Sequence, residues 1–304
     1  MTVRQEPWFG SAGNPDAFYE AGGKASATMP AWLAAQGLDA YEYQCSRGAS
    51  VKEETARKIG EAAKEQQVAL SVHAPYYISL AAEDETVVHN TQEHFRKSLR
   101  VAHWLGADRV VFHIGGAGKK ERFVALERAQ TAFLRVLEQC SEEGLLEGIW
   151  LCPETMGKKN QLGTLAEVLD FCRLAPQWLR PAVDFGHLHA VAGGAFYTRP
   201  EYEAVFAAVE TALGVEAAKE LHIHFSKIEF TGAGEKRHWT FADPYGPPHA
   251  PLLECCAQNG YTPRIICESA GTQALDALQM RDEYRRLAQC FPKNTKPCYN
   301  KGEF

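Results

Sequence analysis

Short apolar or β-branched runs alternate with longer amphipathic stretches along almost the whole chain, and this alternation constrains the fold more than any other feature. Runs at Val3–Phe9, Leu38–Tyr43, Val68–Ala74, Arg109–Ile114, Ile149–Glu154, Pro181–Phe185, Glu220–Phe225 and Arg264–Glu268 read as strands. Between most of them lie helical patterns at Val51–Gln67, Thr86–Leu105, Glu121–Glu143, Leu165–Leu174, Arg199–Leu213 and Ala270–Leu287. From the second run onward the strands recur about every 30 to 45 residues, the spacing of parallel βα units. Eight such units in 304 residues predict an α/β chain forming one (β/α)8 TIM barrel over residues 1–304, with a doubly wound open sheet as the alternative. The tail after about residue 291, with Pro292, Pro297 and Asn300, reads as peripheral to the barrel.

The composition is 45% hydrophobic and 23% charged, enough apolar material for a packed core, which excludes a disordered chain. Lys and Arg number 32 against 38 Asp and Glu, a formal charge of -6, which argues against nucleic-acid binding by bulk positive charge. A phosphate partner would need a local basic patch or bound metal ions. There is no apolar run of about 18 residues and Met1–Pro7 carries no apolar leader core, so neither a membrane span nor a signal peptide is expected. The nine cysteines form no CxxC pair and several sit inside apolar runs, as expected of free thiols in a reducing cytoplasm.

The residues that end each run carry the chemistry. Successive strands close with His73, His113, Glu154, Asp184 plus His187, His222 (within Leu221–Lys227, which also holds His224), and Glu268. In a parallel barrel these ends ring one face, so side chains far apart in sequence converge there. Imidazole and carboxylate are the natural ligands of zinc, iron or manganese. A single strand-end histidine is most simply a hydrogen-bonded core residue, but six coincident strand ends, two of them glutamates after apolar runs, are costly to bury without a cation. Gly115–Lys120 lacks the first glycine and the closing Ser or Thr of a phosphate-binding P-loop and reads as a βα loop. His89, His94 and His103 fall on a helical stretch away from strand ends, and His189 reads as a neighbour of His187.

At these residues the chain resembles the endonuclease IV family of apurinic/apyrimidinic endonucleases, within the xylose-isomerase-like barrel superfamily. His73-Ala74-Pro75-Tyr76 is similar to the family's HAPY segment, Asp184–His187 to its D-x-x-H motif, and His222 with Ser226-Lys227 to its H-x-N-D-[AS]-K segment. Phe112-His113, Glu154-Thr155, Arg237-His238 and Glu268 match in order along most of the chain. The resemblance implies two or three zinc ions, with Mn2+ or Fe as variants. One would be held by His73, His113 and Glu154, a second by Glu154, Asp184, His222 and Glu268, and a third by His187 and His238. The family's remaining ligand, an aspartate two residues before the last histidine, is replaced by Lys236. Either Glu235 substitutes for it or Lys236 meets a substrate phosphate. The resemblance also implies residues that enter the DNA stack at an abasic site: Tyr76 and Tyr77, with Arg47 on the preceding loop.

The function so implied is hydrolysis of a phosphodiester 5′ to an abasic site in damaged double-stranded DNA by a monomeric enzyme. Glu154 would bridge the ions and Glu268 would orient the nucleophile. A rim of Lys119, Lys158, Lys159, Lys227, Lys236 and Arg237 would steer the backbone. The competing reading is a sugar isomerase or epimerase with one metal on Glu154, Asp184, His222 and Glu268, two glutamates moving the proton. That chemistry does not require His73, His113 and His187. A non-catalytic binding protein on the same scaffold is the third class.

Overall fold

The structure, a computed structural model, describes residues 5–291. Eight parallel strands form the barrel: β1 (Trp8–Ala12), β2 (Ala40–Gln44), β3 (Ala69–His73), β4 (Arg109–Phe112), β5 (Trp150–Pro153), β6 (Ala182–Asp184), β7 (His222–Phe225) and, after an antiparallel hairpin β8 (Lys227–Thr231) and β9 (Gly234–Trp239), β10 (Arg264–Cys267). Their order is β5-β4-β3-β2-β1-β10-β7-β6. The ring closes between β5 and β6 through parallel bridges pairing Leu151 with Leu179 and Glu154 with Ala182. Backbone bonds from Thr155 N to Ala182 O (3.0 Å) and from Leu151 N to Trp178 O (2.9 Å) support the closure. The expected barrel is therefore observed, and the open sheet is excluded.

Helices cover the outside because their apolar faces have only the barrel wall to bury against. Helix Glu85–Leu105 is started by Asp84, whose carboxylate accepts from Thr86 N and Val87 N, and is ended by left-handed Gly106. It turns Phe95, Leu99 and Ala102 inward. Phe95, Phe112 and Phe133 pack edge-to-face or tilted at centroid distances of 4.9 to 5.6 Å, tying two helices to β4. A capping box between Thr164 and Glu167 starts helix Leu165–Leu174, and Arg122 clamps the same Glu167.

Two local differences from the sequence reading have physical causes. The first strand runs Trp8–Ala12 rather than Val3–Phe9, and Val3 lies outside the described residues. Its small residues conceal it: a Cβ on Gly10 would lie 2.0 Å from the Ala40 carbonyl oxygen, so β1 and β2 approach only because that residue is glycine. The second is the hairpin β8–β9, absent from the sequence reading: β8 is only five residues with two apolar positions, and β9 carries no apolar run. The tail expected after residue 291 lies outside the described residues. Among the described residues eight cysteines are unpaired, seven of them buried, and no helix is long and apolar enough to cross a membrane.

Candidate metal centre

The strand ends converge as expected on the C-terminal mouth of the barrel. A cavity of about 370 Å³ there is lined by His73, Tyr76, His113, Glu154, Met156, Lys158, Gln161, His187, Glu235, His238 and Glu268. A larger groove of about 560 Å³ lies at the opposite end, near Trp104 and Arg264, but no group of three metal donors gathers in it among the described residues.

Three donor groups together take in every donor at the mouth among the described residues: His73, His113 and Glu154; Glu154, Asp184, His224 and Glu268; and His187, Glu235 and His238. The donor atoms of each lie within 4.8 Å of one another, and a fourth group, His73, His224 and Glu268, overlaps the first two. Glu154 joins the first two. Its Oε2 lies 3.2 Å from His73 Nε2 and 2.9 Å from His113 Nε2, while Oε1 lies 3.1 Å from His224 Nδ1. Asp184 Oδ1 accepts from His187 N (2.7 Å), capping the short helix Phe185–Val191, but its buried Oδ2 has no hydrogen-bond partner. An orphaned carboxylate oxygen among imidazoles fits a cation site, because leaving such an oxygen dry and unpaired is costly.

The outer ends of the histidines fit the same reading. A metal-bound imidazole keeps its other nitrogen engaged, which fixes ring and tautomer. His73 Nδ1–H donates to Ala74 O (2.8 Å), His187 Nδ1–H donates to Thr155 O (2.9 Å), and His238 Nδ1 shares a hydrogen bond with the Ser226 hydroxyl (2.8 Å). Each of these leaves Nε2 facing the cavity's carboxylates.

The structure differs from the sequence reading at β7. His222 and His224, two apart, share the inward face but sit at different depths. His222 pairs in register with Ala182 and Arg264, at the starts of β6 and β10; His224 pairs with Asp184 and Ile266, at the mouth. His224 therefore joins Glu154, Asp184 and Glu268, and His222, the residue expected there, turns inward to Glu42.

The structure also turns Lys236 away from the donor groups. Along β8–β9 the register is Glu229 with Arg237 and then Phe230 with Glu235, so Lys236 is the extra residue of a β-bulge. The bulge sends Lys236 outward to Glu229 (2.6 Å) and turns Glu235 and His238 to one side, toward His187. Gly157 makes room for this: a Cβ there would lie 2.7 Å from both Glu235 Cβ and His187 Cδ2. Glu235 N donates to Gly157 O (2.7 Å), fixing the strand against the loop after β5.

The remaining candidates separate cleanly. Tyr76 is exposed at the mouth, 5.3 Å from the His113 ring, and lines the cavity. Tyr77 is equally exposed but lies against His94, outside the lining, and Arg47 is exposed and also outside it. Lys227 does not face the mouth's lining: its ammonium donates to Phe241 O and Asp243 O. The loop Gly115–Lys120 is tied to the loop after β5 by Ala117 N to Asn160 O (3.0 Å) and Leu162 N to Gly115 O (2.9 Å). His189 is buried against Tyr197 and Phe230 and joins no donor group. Glu42, missed by the sequence reading, stands in the middle of β2 with no strand-end position to mark it.

Electrostatically, the centre shares protons among anions. Burial opposes protonation of His73, but Glu154 outweighs it and pushes the imidazole up to about 8. His187 rises to about 9, burial being outweighed by Asp184 and Glu154. Burial lowers His113. Burial would raise Glu154, but His224 and His113 hold it well below the usual carboxylate range. Glu268 is raised, by burial first and by repulsion from Glu154 and Asp184. Bound cations would replace these protons.

Comparison with known proteins places this geometry in a family. Residues 30–291 match the family model described as the xylose isomerase-like TIM barrel. An uncharacterized protein of Methanocaldococcus jannaschii is 34% identical over 250 residues, 82% of this chain and 88% of that one. A probable endonuclease 4 of Streptomyces avermitilis is 32% identical over 179 residues, covering 55% of this chain and 54% of its own, so the match spans about half that relative. In fold, the chain is similar to endonuclease IV of Thermus thermophilus (TM-score 0.67, 19% identity, 92% of this chain and 99% of that one). It is also similar to a D-tagatose 3-epimerase-like protein (TM-score 0.65, 19% identity, 83% of this chain and 90% of that one). The chain belongs to the xylose isomerase-like TIM barrel family.

Proposed function

We propose that this chain is a metal-dependent phosphodiesterase of the endonuclease IV type, cutting damaged duplex DNA 5′ to abasic sites. The observation that carries the reading is the presence of two donor groups, His73–His113–Glu154 and His187–Glu235–His238, beside the quartet Glu154–Asp184–His224–Glu268. Proton transfer between sugar carbons needs only the quartet; opposed clamping of the attacking and leaving oxygens of a phosphodiester needs neighbouring ions. The nitrogen and oxygen donors suit zinc, with manganese or iron as alternatives. Bound cations would supply hydroxide at neutral pH and neutralise charge on the phosphoryl oxygens.

The chain's own residues take the remaining roles. Glu154, with Oε2 toward His113 and Oε1 toward His224, would help hold an ion in each of the two neighbouring groups. Glu268 sits at the cavity wall with a raised proton affinity, suited to orient the attacking water and accept its proton. Tyr76, exposed beside His113, offers an aromatic face to a base or to the gap left by one. Lys158 in the lining supplies a local positive charge within a chain of net charge -6.

The test is incubation of the metal-loaded protein with duplex DNA carrying a tetrahydrofuran abasic analogue. Incision on its 5′ side is expected with zinc, manganese or iron, and no incision with any of them would remove the assignment. The second reading, a ketose isomerase or epimerase on the quartet, is favoured by the quartet's completeness in itself. It would show as turnover of ketoses with one ion per chain.

A further inference from the structure

Beneath the metal centre, Glu42 and His222 have no role in the reaction described above, and they reach the centre through His224. Glu42, His222 and His224 are buried, and donor atoms of all three lie within 4.8 Å of one another. We propose that Glu42 is the outer carboxylate of a carboxylate–histidine–metal relay that presents His224 to the ion through Nδ1. The inference rests on the metal reading and assigns a positioning residue on β2, a strand that contributes no ligand.

The hydrogen-bond inventory carries it. A carboxylate offers four lone-pair sites. At Glu42, Oε1 lies 3.0 Å from His224 Nε2 and 3.1 Å from Gln44 Nε2, and Oε2 lies 2.9 Å from Ser71 Oγ and 3.0 Å from His222 Nε2. Four donors therefore meet four sites. With Nε2–H committed to Glu42, the lone pair of a neutral His224 is on Nδ1, the atom 3.1 Å from Glu154 and 3.5 Å from Glu268. Three of the other ligand histidines, His73, His187 and His238, direct Nδ1 to neutral groups, Ala74 O, Thr155 O and the Ser226 hydroxyl. Unlike those three, His224 directs its outer nitrogen to a carboxylate at hydrogen-bond distance, 3.0 Å from Glu42 Oε1, which makes its imidazole the more basic ligand.

The same three groups invite a rival reading, a further cation held between Glu42, His222 and His224. The outer end of His222 speaks against it. A ligating His222 Nε2 would put the proton on Nδ1, and that atom is buried with no hydrogen-bond partner. An orphaned N–H is the arrangement metal-bound histidines avoid. With Nε2–H given to Glu42, Nδ1 keeps only an unused lone pair.

The experiment is a chelator competition with zinc on the full chain, comparing wild type with Glu42→Gln, Glu42→Asp and His222→Phe. Glu42→Gln should weaken one ion by about 10- to 100-fold, while the total bound at saturating zinc and the melting temperature of the metal-free protein stay near wild type. Glu42→Asp keeps the charge and should fall between, and it stands in if the glutamine variant fails to fold. His222→Phe should bind as many ions as wild type. Unchanged affinity in both Glu42 variants would overturn the relay, as would loss of one equivalent in His222→Phe, which would make the inner cluster a cation site. A wild-type chain that retains no zinc would remove the metal reading itself, an outcome distinct from either.

Discussion

Glu235 and His238 face the same side of β9 although they are three residues apart, because Lys236 is bulged out of the ladder between them. A regular strand would put residues two apart on one face. The bulge thus converts an unpromising Glu-Lys-Arg-His stretch into two donors beside His187.

From that geometry, Glu235→Ala should lower the metal content at saturation by one equivalent, whereas Lys236→Ala should leave it unchanged. Elemental analysis of desalted protein reads both. Equal losses would mean that the lysine contributes to the centre after all.

On β7, His224→Ala is expected to lose the ion shared with Asp184 and Glu268 and to reduce incision by more than about 100-fold, beyond the loss typical of an outer partner. His222→Ala should retain that ion. Metal titration followed by an incision assay separates the two, and the reverse order of effects would restore His222 as the ligand.

The two tyrosines after the His73 strand should differ as well. Tyr76 lies over His113 at the mouth and Tyr77 against His94. Stacking on a base is worth about 1–3 kcal/mol, so Tyr76→Ala should weaken binding of abasic duplex roughly 5- to 150-fold. Tyr77→Ala should change it less than about threefold on the same scale. Fluorescence anisotropy with labelled duplex measures both.

Far from the site, Arg264 is buried at the start of β10 and makes paired bonds to Asp108 (2.6 and 3.0 Å). Burial would raise the Asp108 carboxyl, but Arg264 outweighs it and brings it down to about 2. A depressed carboxylate stabilises the fold above its unfolded value, and that contribution is lost as pH falls from about 4 through 2. Asp108→Asn should therefore destabilise at neutral pH, by roughly 1 kcal/mol because the carboxylate side chain is half exposed and water screens it. Its difference from wild type should vanish at the acid end. Denaturant unfolding at pH 7 and at pH 2 checks the sign.

The barrel and most of its mouth were legible in the sequence because parallel strands ending in His73, His113, Glu154, Asp184 and Glu268 have one place to converge. Depth within a strand was not. His222 and His224 have the same facing and differ only in register with β6 and β10, which a motif spacing does not encode. Glu42 was concealed for a related reason: it ends no strand, and its partners lie 29 and 180 residues away at Ser71 and His222. The bulge at Lys236 needs the pairing of two strands, which one strand's sequence leaves open.

The most direct test of the centre is the number of ions bound per chain, measured by elemental analysis after zinc loading and desalting. Two or three equivalents are expected from the three donor groups around Glu154 and His187. A single equivalent, held with Asp184 and Glu268, would contradict the multi-metal centre and return the chain to one-ion sugar chemistry.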